Sequence, residues 1–343
     1  MASGHAIAGL AEKPFLLRLS LSLNRSSNFS DTAARQASAA FPGGSSVNPA
    51  GVDWRSSKET PSSSGSLTNI QIFSESGARA TATAGTLTVP RPSAGTLSIA
   101  YARTDTIDRS ARQGLANNLR SNEFFAGYGR RVADDRAFGA KLRLTDSVLN
   151  EQFFVPPVDG LPLQSKVKAR SIDAALGVLS EPRPGWFTGA VVAAGWSSAN
   201  VSIRNLTPLP APPFGLLPAG SILERFNDDV RTFGVHVGTG YAPDRRHGIF
   251  LDAQYLMVKS KRGGSAEVGR IAAGLDLRAG ESVVFRTGVG IDSEKEVTLS
   301  IGARYQGFKD VVIDVAYQHN SQPEVKREFG RFDLLSASLN VRF

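Results

Sequence analysis

FDLLSASLNVRF, residues 332–343, closes the chain with apolar and polar residues in strict alternation. One parity carries Leu335, Ala337, Leu339, Val341 and Phe343, and the other carries Ser336, Ser338, Asn340 and Arg342. Successive side chains of a β-strand point to opposite faces, so the stretch predicts a strand with one apolar and one polar face. The fold then depends on what each face contacts.

The same alternation recurs upstream, for example in Val297–Tyr305 and in Ile271–Leu277. A period of two over about ten residues favours a strand over a helix. The pattern predicts fourteen strands, near residues 67–75, 79–89, 95–105, 121–132, 136–147, 169–180, 186–204, 230–241, 248–259, 268–278, 282–292, 296–306, 310–319 and 332–343.

The links between these strands alternate between tight and long. Tight turns such as 133–135, 181–185 and 279–281 are separated by longer links such as 148–168 and 205–229. Strands of about ten or eleven residues exceed the five or six that are usual in soluble sandwiches, and they match the length that a tilted strand needs to cross a bilayer. A closed barrel also pairs every backbone group within lipid. The prediction is therefore an all-β, transmembrane antiparallel barrel over residues 67–343, with a polar lumen and a location in the bacterial outer membrane.

Composition excludes several other classes. The chain has no cysteine, which removes disulfides, cysteine-ligated metal and thiol catalysis. The net charge is +8, but 31 acidic residues and no dense basic run argue against a nucleic-acid partner. Residues 14–23 are the best candidate for an export signal, yet Arg18 interrupts them. Residues 1–23 are thus open to three interpretations: a degraded signal, an extra strand, or the product of a misplaced start codon.

Residues 32–54, TAARQASAAFPGGSSVNPAGVDW, resemble the N-terminal plug of FadL/TodX-type hydrophobe transporters and their PorV-like relatives. That family carries an Asn-Pro-Ala-Gly element just before its first barrel strand, here Asn48, Pro49, Ala50 and Gly51. Residues 124–145 and the terminal strand resemble the family's hairpins. The resemblance implies a plug or hatch over residues 24–66, whose movement admits small hydrophobic molecules such as fatty acids or hydrocarbons by passive diffusion.

Two apolar links are candidate access loops for such a solute. Residues 205–223 are long and rich in proline, and 151–163 are similar in character. The candidate residues are Phe153, Phe154, Val155, Leu161, Phe214, Leu216, Leu217 and Ile222. The alternative is that both links merely pack on the barrel rim.

Charged residues with the polar parity are candidate lumen groups. They are Arg130, Lys141, Arg143, Arg270, Arg278, Arg286 and Arg304, and Asp252, Asp276 and Asp314 share their face. Such cations can hold an anionic head group, or they can pair with the aspartates across neighbouring strands. Because both signs are present, the structural role is favoured.

Catalysis is not expected. His319, Asn320 and Ser321 lie in one link with Glu324 and Glu328, but a single link does not fix the mutual geometry of a triad. No cofactor or metal is predicted. The predicted partners are outer-membrane lipids, a hydrophobic solute, and the barrel assembly machinery through Phe343. A PorV-like structural or secretion-associated barrel and a general porin stay open as alternatives.

Overall fold

Fourteen antiparallel strands close into one barrel in the computed structural model. The structure describes residues 48–53, 62–75, 79–91, 94–107, 117–154, 162–210, 215–243, 247–262, 264–319 and 331–343. The strands are β1 (Ser64–Ser74), β2 (Arg79–Arg91), β3 (Gly95–Ile107), β4 (Asn117–Ala133), β5 (Arg136–Phe154), β6 (Pro162–Arg183), β7 (Trp186–Asn205), β8 (Leu209–Pro210), β9 (Leu216–Leu217), β10 (Ile222–Tyr241), β11 (Gly248–Ser260), β12 (Gly264–Ala279), β13 (Val283–Asp292), β14 (Val297–Tyr305), β15 (Val311–His319) and β16 (Phe332–Arg342). β8 and β9 form a separate small hairpin, so the predicted count of fourteen barrel strands is confirmed.

Closure joins the two ends of the chain. β1 pairs with β2 on one side and with β16 on the other, in continuous register from Ser64↔Arg342 to Ser74↔Phe332. The amide of Phe343 extends this seam by donating to the carbonyl of Ser63 at 2.9 Å. A closed sheet has no unpaired edge, which is the condition for placing strands in hydrocarbon.

The two ends of the barrel differ. One end, which we call the short-turn rim, carries links 92–94, 134–135, 184–185, 242–247, 280–282 and 306–310, together with the start of β1 and the end of β16. The opposite end, the long-loop rim, carries links 108–116, 155–161, 206–221 and 320–331, as well as three shorter ones. This asymmetry matches the predicted alternation of links and is typical of barrels with one periplasmic and one exterior rim.

The outer surface has an apolar belt between two rows of aromatic side chains. The row at the short-turn rim contains Tyr128, Phe138, Trp186, Tyr241, Tyr305 and Phe308. The row nearer the long-loop rim contains Tyr101, Phe124, Trp196, Tyr255 and Tyr317. Trp186 and Trp196 are ten residues apart on β7. At about 3.3 Å per residue and a tilt of about 40°, the belt is about 25 Å high, the height of a barrel's lipid-facing band.

Strand lengths depart from the prediction on one side of the barrel. β5, β6 and β10 have 19, 22 and 20 residues, well beyond the predicted 136–147, 169–180 and 230–241, whereas β7 with 20 residues agrees with the predicted 186–204. Much of the predicted long links 148–168 and 205–229 is therefore strand, which extends beyond the apolar belt at the long-loop rim. β1 also starts at Ser64, three residues before the predicted boundary, because Ser64 and Ser66 pair with β2 and β16. No helix within the described ranges is long and apolar enough to cross a bilayer.

Candidate functional site: the lumen wall and the Asn48–Gly51 turn

The Asn-Pro-Ala-Gly element lies inside the barrel near the short-turn rim. Residues 49–53 form one 3-10 turn, which contacts β3, β4, β5 and β6. Asn48 and Ala50 are 1% and 0% exposed. The Asn48 side chain closes the turn by accepting from the amide of Ala50 at 3.0 Å, and its Nδ2 donates to the carbonyl of Val178 at 2.8 Å. One side chain thus shapes the turn and attaches it to the wall.

Two inward-facing glycines form a socket for this turn. A methyl group on Gly177 would overlap the Asn48 Oδ1 and lie 2.8 Å from the Pro49 Cδ. A methyl group on Gly139 would overlap the Pro49 carbonyl carbon and the Ala50 nitrogen. Only glycine permits so close a backbone approach. The turn fits here because β5 and β6 leave this space, and we refer to Gly139 and Gly177 as the glycine socket.

Apolar side chains complete the floor of the lumen around the turn. Ala50 packs in one buried cluster with Ala137, Leu179, Phe187, Ala242 and Phe250. The ring of Phe250 lies over Gly240 and Gly248, where any side chain would collide with it. Burial of these groups favours the docked turn by about 25 cal/mol for each Å² removed from water.

A belt of charged side chains crosses the middle of the lumen wall. On one side, Arg143 contacts Asp173 at 2.9 Å and approaches Glu123 at 3.9 Å. Asp173 reaches past Gly195 towards Thr232, where the two side chains are 3.5 Å apart. A Glu123 oxygen is buried without a hydrogen-bond donor among the described residues. The cluster therefore joins side chains from four strands, β4, β5, β6 and β10.

The opposite side of the belt has a second network. Asp314 accepts from Arg286 at 2.9 Å and from Arg304 at 2.8 Å, while Asp276 lies 3.9 Å from Arg286. His236 contacts Asp252 at 3.1 Å between the two networks. Lys141 lies over the ring of Phe125, 5.2 Å from its centre.

Inward charges of both signs share this belt. Among the described strands they include the carboxylates Glu123, Asp173, Asp252, Asp276 and Asp314 and the cations Lys141, Arg143, Arg270, Arg286 and Arg304. Arg143, Arg286 and Arg304 are in contact with carboxylates of this set. An ion pair already satisfied by its partner attracts a further anion only weakly.

Between the charge belt and the long-loop rim, the inner wall becomes mainly apolar. Leu149, Leu163, Val167, Val201 and Ile203 form one buried cluster on the inward faces of β5, β6 and β7, and Phe226 of β10 packs against it. Val230, Leu256, Val258 and Val268 form a second cluster on β10 to β12. Ile70, Ile72 and Leu334 contribute to a third on β1, β2 and β16. The inner wall towards the long-loop rim is therefore largely apolar, with Ser165, Asp228 and Ser260 buried among these clusters, whereas the sequence predicted a polar lumen.

The change arises because the alternation inverts along the long strands. On β6, Ile172 and Leu176 are exposed on the outer face, but Lys166 and Lys168 occupy that same face further along. The inward face changes in the opposite sense, from Asp173 to Val167. The outer face meets water once the strand leaves the apolar belt, so hydrophobic residues there are favoured only on the inside.

A small cavity marks the boundary between the apolar wall and the charge belt. Its lining includes Arg143, Thr145, Ser171, Asp173, Ser197 and Thr232. Its volume of about 40 Å³ accommodates about three water molecules.

The predicted access residues fall at different places. Leu216 and Leu217 belong to the β8–β9 hairpin and are 68% and 39% exposed. Phe153 and Phe154 end β5 and Ile222 starts β10, so the prediction that they lie in loops is wrong; backbone pairing extends the strands through them. Val155, Leu161 and Phe214 lie outside the described residues.

Asn205 anchors the neck of the hairpin and was not a predicted site residue. Its buried Nδ2 donates to the carbonyls of Thr207 and Pro218 at 2.8 and 2.9 Å. The amide of Gly220 donates to the Asn205 carbonyl at 2.7 Å. These bonds hold both ends of residues 206–221 together at the long-loop rim.

Two of the predicted lumen cations occupy other positions. Arg130 is on the outer face with Phe124 and Tyr128, so its inward assignment is wrong. Both parities of β4 carry an aromatic residue there, and the inward parity is the one with Phe125 and glycines. Arg278 has the inward parity but lies exposed at the short-turn rim, where it donates to the carbonyl of Gly280 at 2.6 Å.

Of the five residues considered for a catalytic triad, the structure describes only His319. His319 contacts Asp333 at 2.8 Å across the β15–β16 seam. Asn320, Ser321, Glu324 and Glu328 lie outside the described residues.

Solved structures of transport proteins share this architecture. The CymD monoaromatic hydrocarbon channel matches at 14% identity and a TM-score of 0.62, over 91% of this chain and 97% of that one. The Ralstonia pickettii toluene transporter TbuX matches at 13% identity and a TM-score of 0.64, over 92% and 97%. A Pseudomonas aeruginosa FadL homologue matches at 14% identity and 0.61, over 91% and 98%.

The chain has the FadL-type barrel fold. No family model and no curated protein sequence matches it. The likeness therefore lies in the fold, and it agrees with the resemblance seen in the sequence.

Proposed function

We propose that this protein is an outer-membrane channel that passes small, uncharged hydrophobic molecules by passive diffusion. The observation that carries the proposal is the apolar inner wall at the long-loop rim. Two neighbours with the same fold are described as a monoaromatic hydrocarbon channel and a toluene transporter. Their fold and the physical character of this wall support the same class of solute.

The inner wall accounts for capture. A solute that buries roughly 150 Å² against hydrocarbon gains about 4 kcal/mol over its state in water, whereas a polar pore offers it nothing comparable. The wall begins at Ile203 and Leu163 near the long-loop rim and ends at the charge belt. The β8–β9 hairpin, whose neck is anchored at the long-loop rim, exposes Leu216 and Leu217, and in this proposal they provide a first apolar contact.

The charge belt accounts for the preference for uncharged solutes. Arg143, Arg286 and Arg304 each have a carboxylate partner within 3.0 Å. A fatty acid would have to displace Asp173 or Asp314 to gain an arginine, and it would leave that aspartate buried without its partner. A neutral aromatic or alkane has no such cost.

The Asn48–Gly51 turn is the proposed gate. It fills the glycine socket at the short-turn end, and residues 24–63, which precede β1, make up the proposed hatch. Release of the turn opens space between the charge belt and the short-turn rim. Passage then depends on how often the turn leaves its socket.

Uptake of labelled toluene and labelled oleate by cells with and without the protein tests the proposal. We expect the protein to raise toluene uptake more than oleate uptake. Val201→Asn, which places an amide in the apolar wall, should reduce toluene uptake several-fold, while Ser202→Asn on the outer face of the same strand should not. Equal uptake of toluene by both variants, or open-pore conductance and sugar uptake like that of a general porin, would contradict it.

A further inference from the structure

The outer face of the long strands carries a cationic patch that the transport proposal does not use. Above the apolar belt, β6 exposes Lys166, Lys168 and Arg170 on consecutive outward positions. Arg204 of β7 and Arg225 of β10 are also exposed on this face. We define the patch as Lys166, Lys168, Arg204 and Arg225.

The strand register brings these side chains together around small polar residues. Lys166 lies opposite Ser202, and Ser202 lies opposite Arg225 on the next strand. Lys168 lies opposite Asn200, which in turn lies opposite Asn227. On the β5 side, the same two rows continue with Asn150 and Val148. The two rows thus carry several hydrogen-bond donors and no carboxylate among their outward residues.

The nearest outward carboxylates lie in the next row of paired residues towards the apolar belt. Asp146 contacts Arg170 at 3.4 Å, and Asp229 shares that row through Ser198. Arg170 is therefore partly neutralised, whereas the four patch residues face a surface of hydroxyl and amide groups. Opposite the patch, on β13 and β14, the outer face ends in Ile291 and Val297. The patch itself therefore lies on one side of the barrel, on β6, β7 and β10.

The lower edge of the patch, at Lys168, lies next to the head-group layer, while Lys166 and Arg225 lie about 5 Å higher and Arg204 about 10 Å higher. Ile172 and Trp196 are the last exposed apolar pair of β6 and β7, and they lie opposite each other. Lys168 is four residues further along, which at about 3.3 Å per residue and about 40° of tilt places its Cα about 10 Å higher. Head groups occupy about 5–8 Å beyond the hydrocarbon, so a lysine side chain reaching down enters that layer.

We propose that this patch binds a phosphorylated lipid of the exterior leaflet. The acyl chains lie along Ile172, Leu176 and Trp196, while the phosphate contacts Lys168 and the flanking cations. Basic residues at this depth attract anionic head groups electrostatically, and ammonium and guanidinium groups are good phosphate ligands. The continuity of the patch with the apolar belt is what selects a lipid over a soluble anion.

Binding of diphosphorylated lipid A to the detergent-solubilised full chain tests this inference. The patch variant is the triple substitution Lys166→Gln, Lys168→Gln and Arg225→Gln. The control removes equal charge from exposed positions at the short-turn rim, by Arg91→Gln, Arg136→Gln and Lys309→Gln. We expect the patch variant to lose at least tenfold in affinity, the control to lose less than twofold, and binding by the unmodified chain to weaken with added salt.

Three results would overturn the inference. They are unchanged binding by the patch variant, equal losses in the two variants, and equal competition by inorganic phosphate or a short single-stranded DNA. Heat modifiability on gels verifies that each variant is folded. Toluene uptake should be the same in the patch variant and the unmodified chain, so failure here is distinguishable from failure of the transport proposal.

Discussion

The glycine socket provides a direct test of the gate. In Gly177→Ala, the new methyl group collides with the Asn48 side chain and lies 2.8 Å from the Pro49 ring. The turn must move, and it then loses the bond from Asn48 Nδ2 to the Val178 carbonyl. Gly139→Ala acts in the same way against the Pro49–Ala50 backbone. Neither methyl group affects the outer face of the barrel, so insertion should be unchanged.

The size of the effect follows from these contacts. Overpacking a close contact costs about 1–3 kcal/mol, and loss of the hydrogen bond costs about 1 kcal/mol. The docked turn is therefore destabilised by about 2–4 kcal/mol relative to the displaced one. This corresponds to a shift of roughly 30- to 700-fold in their ratio.

Thiol labelling and single-channel conductance measure this shift. The chain has no cysteine, so Ala50→Cys introduces the only thiol, at a position that is 0% exposed. We expect slow labelling in the parent, and faster labelling with more frequent open events when Gly177→Ala is added. Gly127→Ala is the matched control, because its methyl group would meet nothing closer than 3.9 Å on the same inward surface.

Deletion of residues 1–55 should give the open state constitutively. If Gly177→Ala and Gly139→Ala label and conduct like Gly127→Ala, the turn does not depend on the socket. The gating proposal would then fail, although the barrel fold would stand.

Three further predictions concern individual contacts. Arg143→Met leaves Asp173 buried without its cationic partner and should lower the free energy of unfolding by about 3–5 kcal/mol, as measured by urea unfolding in lipid vesicles. Adding Asp173→Asn should restore part of that free energy. If it restores none, the pairing is contradicted. Asn205→Ala removes both bonds at the hairpin neck, so limited proteolysis should cut residues 206–221 faster while the barrel stays intact, and an unchanged rate would refute the anchor. The backbone amide of Arg331 donates to Glu75 and lowers the pKa of that carboxyl. Protection of the Arg331 amide from hydrogen exchange should therefore be full above the ordinary glutamate pKa and be lost only as the pH falls through the lowered value. Glu75→Gln should abolish this pH dependence.

The strand pattern of the barrel is local information, and for that reason it could be predicted. Alternation in Val297–Tyr305 or in the terminal strand is visible residue by residue, because lipid requires apolar groups on one face and closure requires pairing on both edges. The position of Asn48–Gly51 just before the first strand could likewise be identified by resemblance. The arginines of β12 to β14 were assigned to the lumen by parity alone.

The predictions fail where both faces of a strand look alike, or where the apolar residues change from one face of a strand to the other. Arg130 was misplaced because Phe124 and Phe125 give both faces of β4 an aromatic residue. The predicted strand 169–180 misses the start of β6, where Lys166, Val167 and Lys168 alternate in the opposite sense to the membrane-spanning part. That inversion, in a strand already long enough to cross the bilayer, is the signal that would have identified the apolar inner wall.

Local alternation is enough to specify fourteen strands with one apolar and one polar face, because each residue pattern responds to the solvent on either side of its strand. Which residues share the lumen at one height depends on the folded barrel. Gly139 and Gly177 are far from Asn48 along the chain, and Arg143, Arg286 and Arg304 have their carboxylate partners on other strands. These contacts depend on the register between strands, which no single strand encodes, and they determine what the lumen admits.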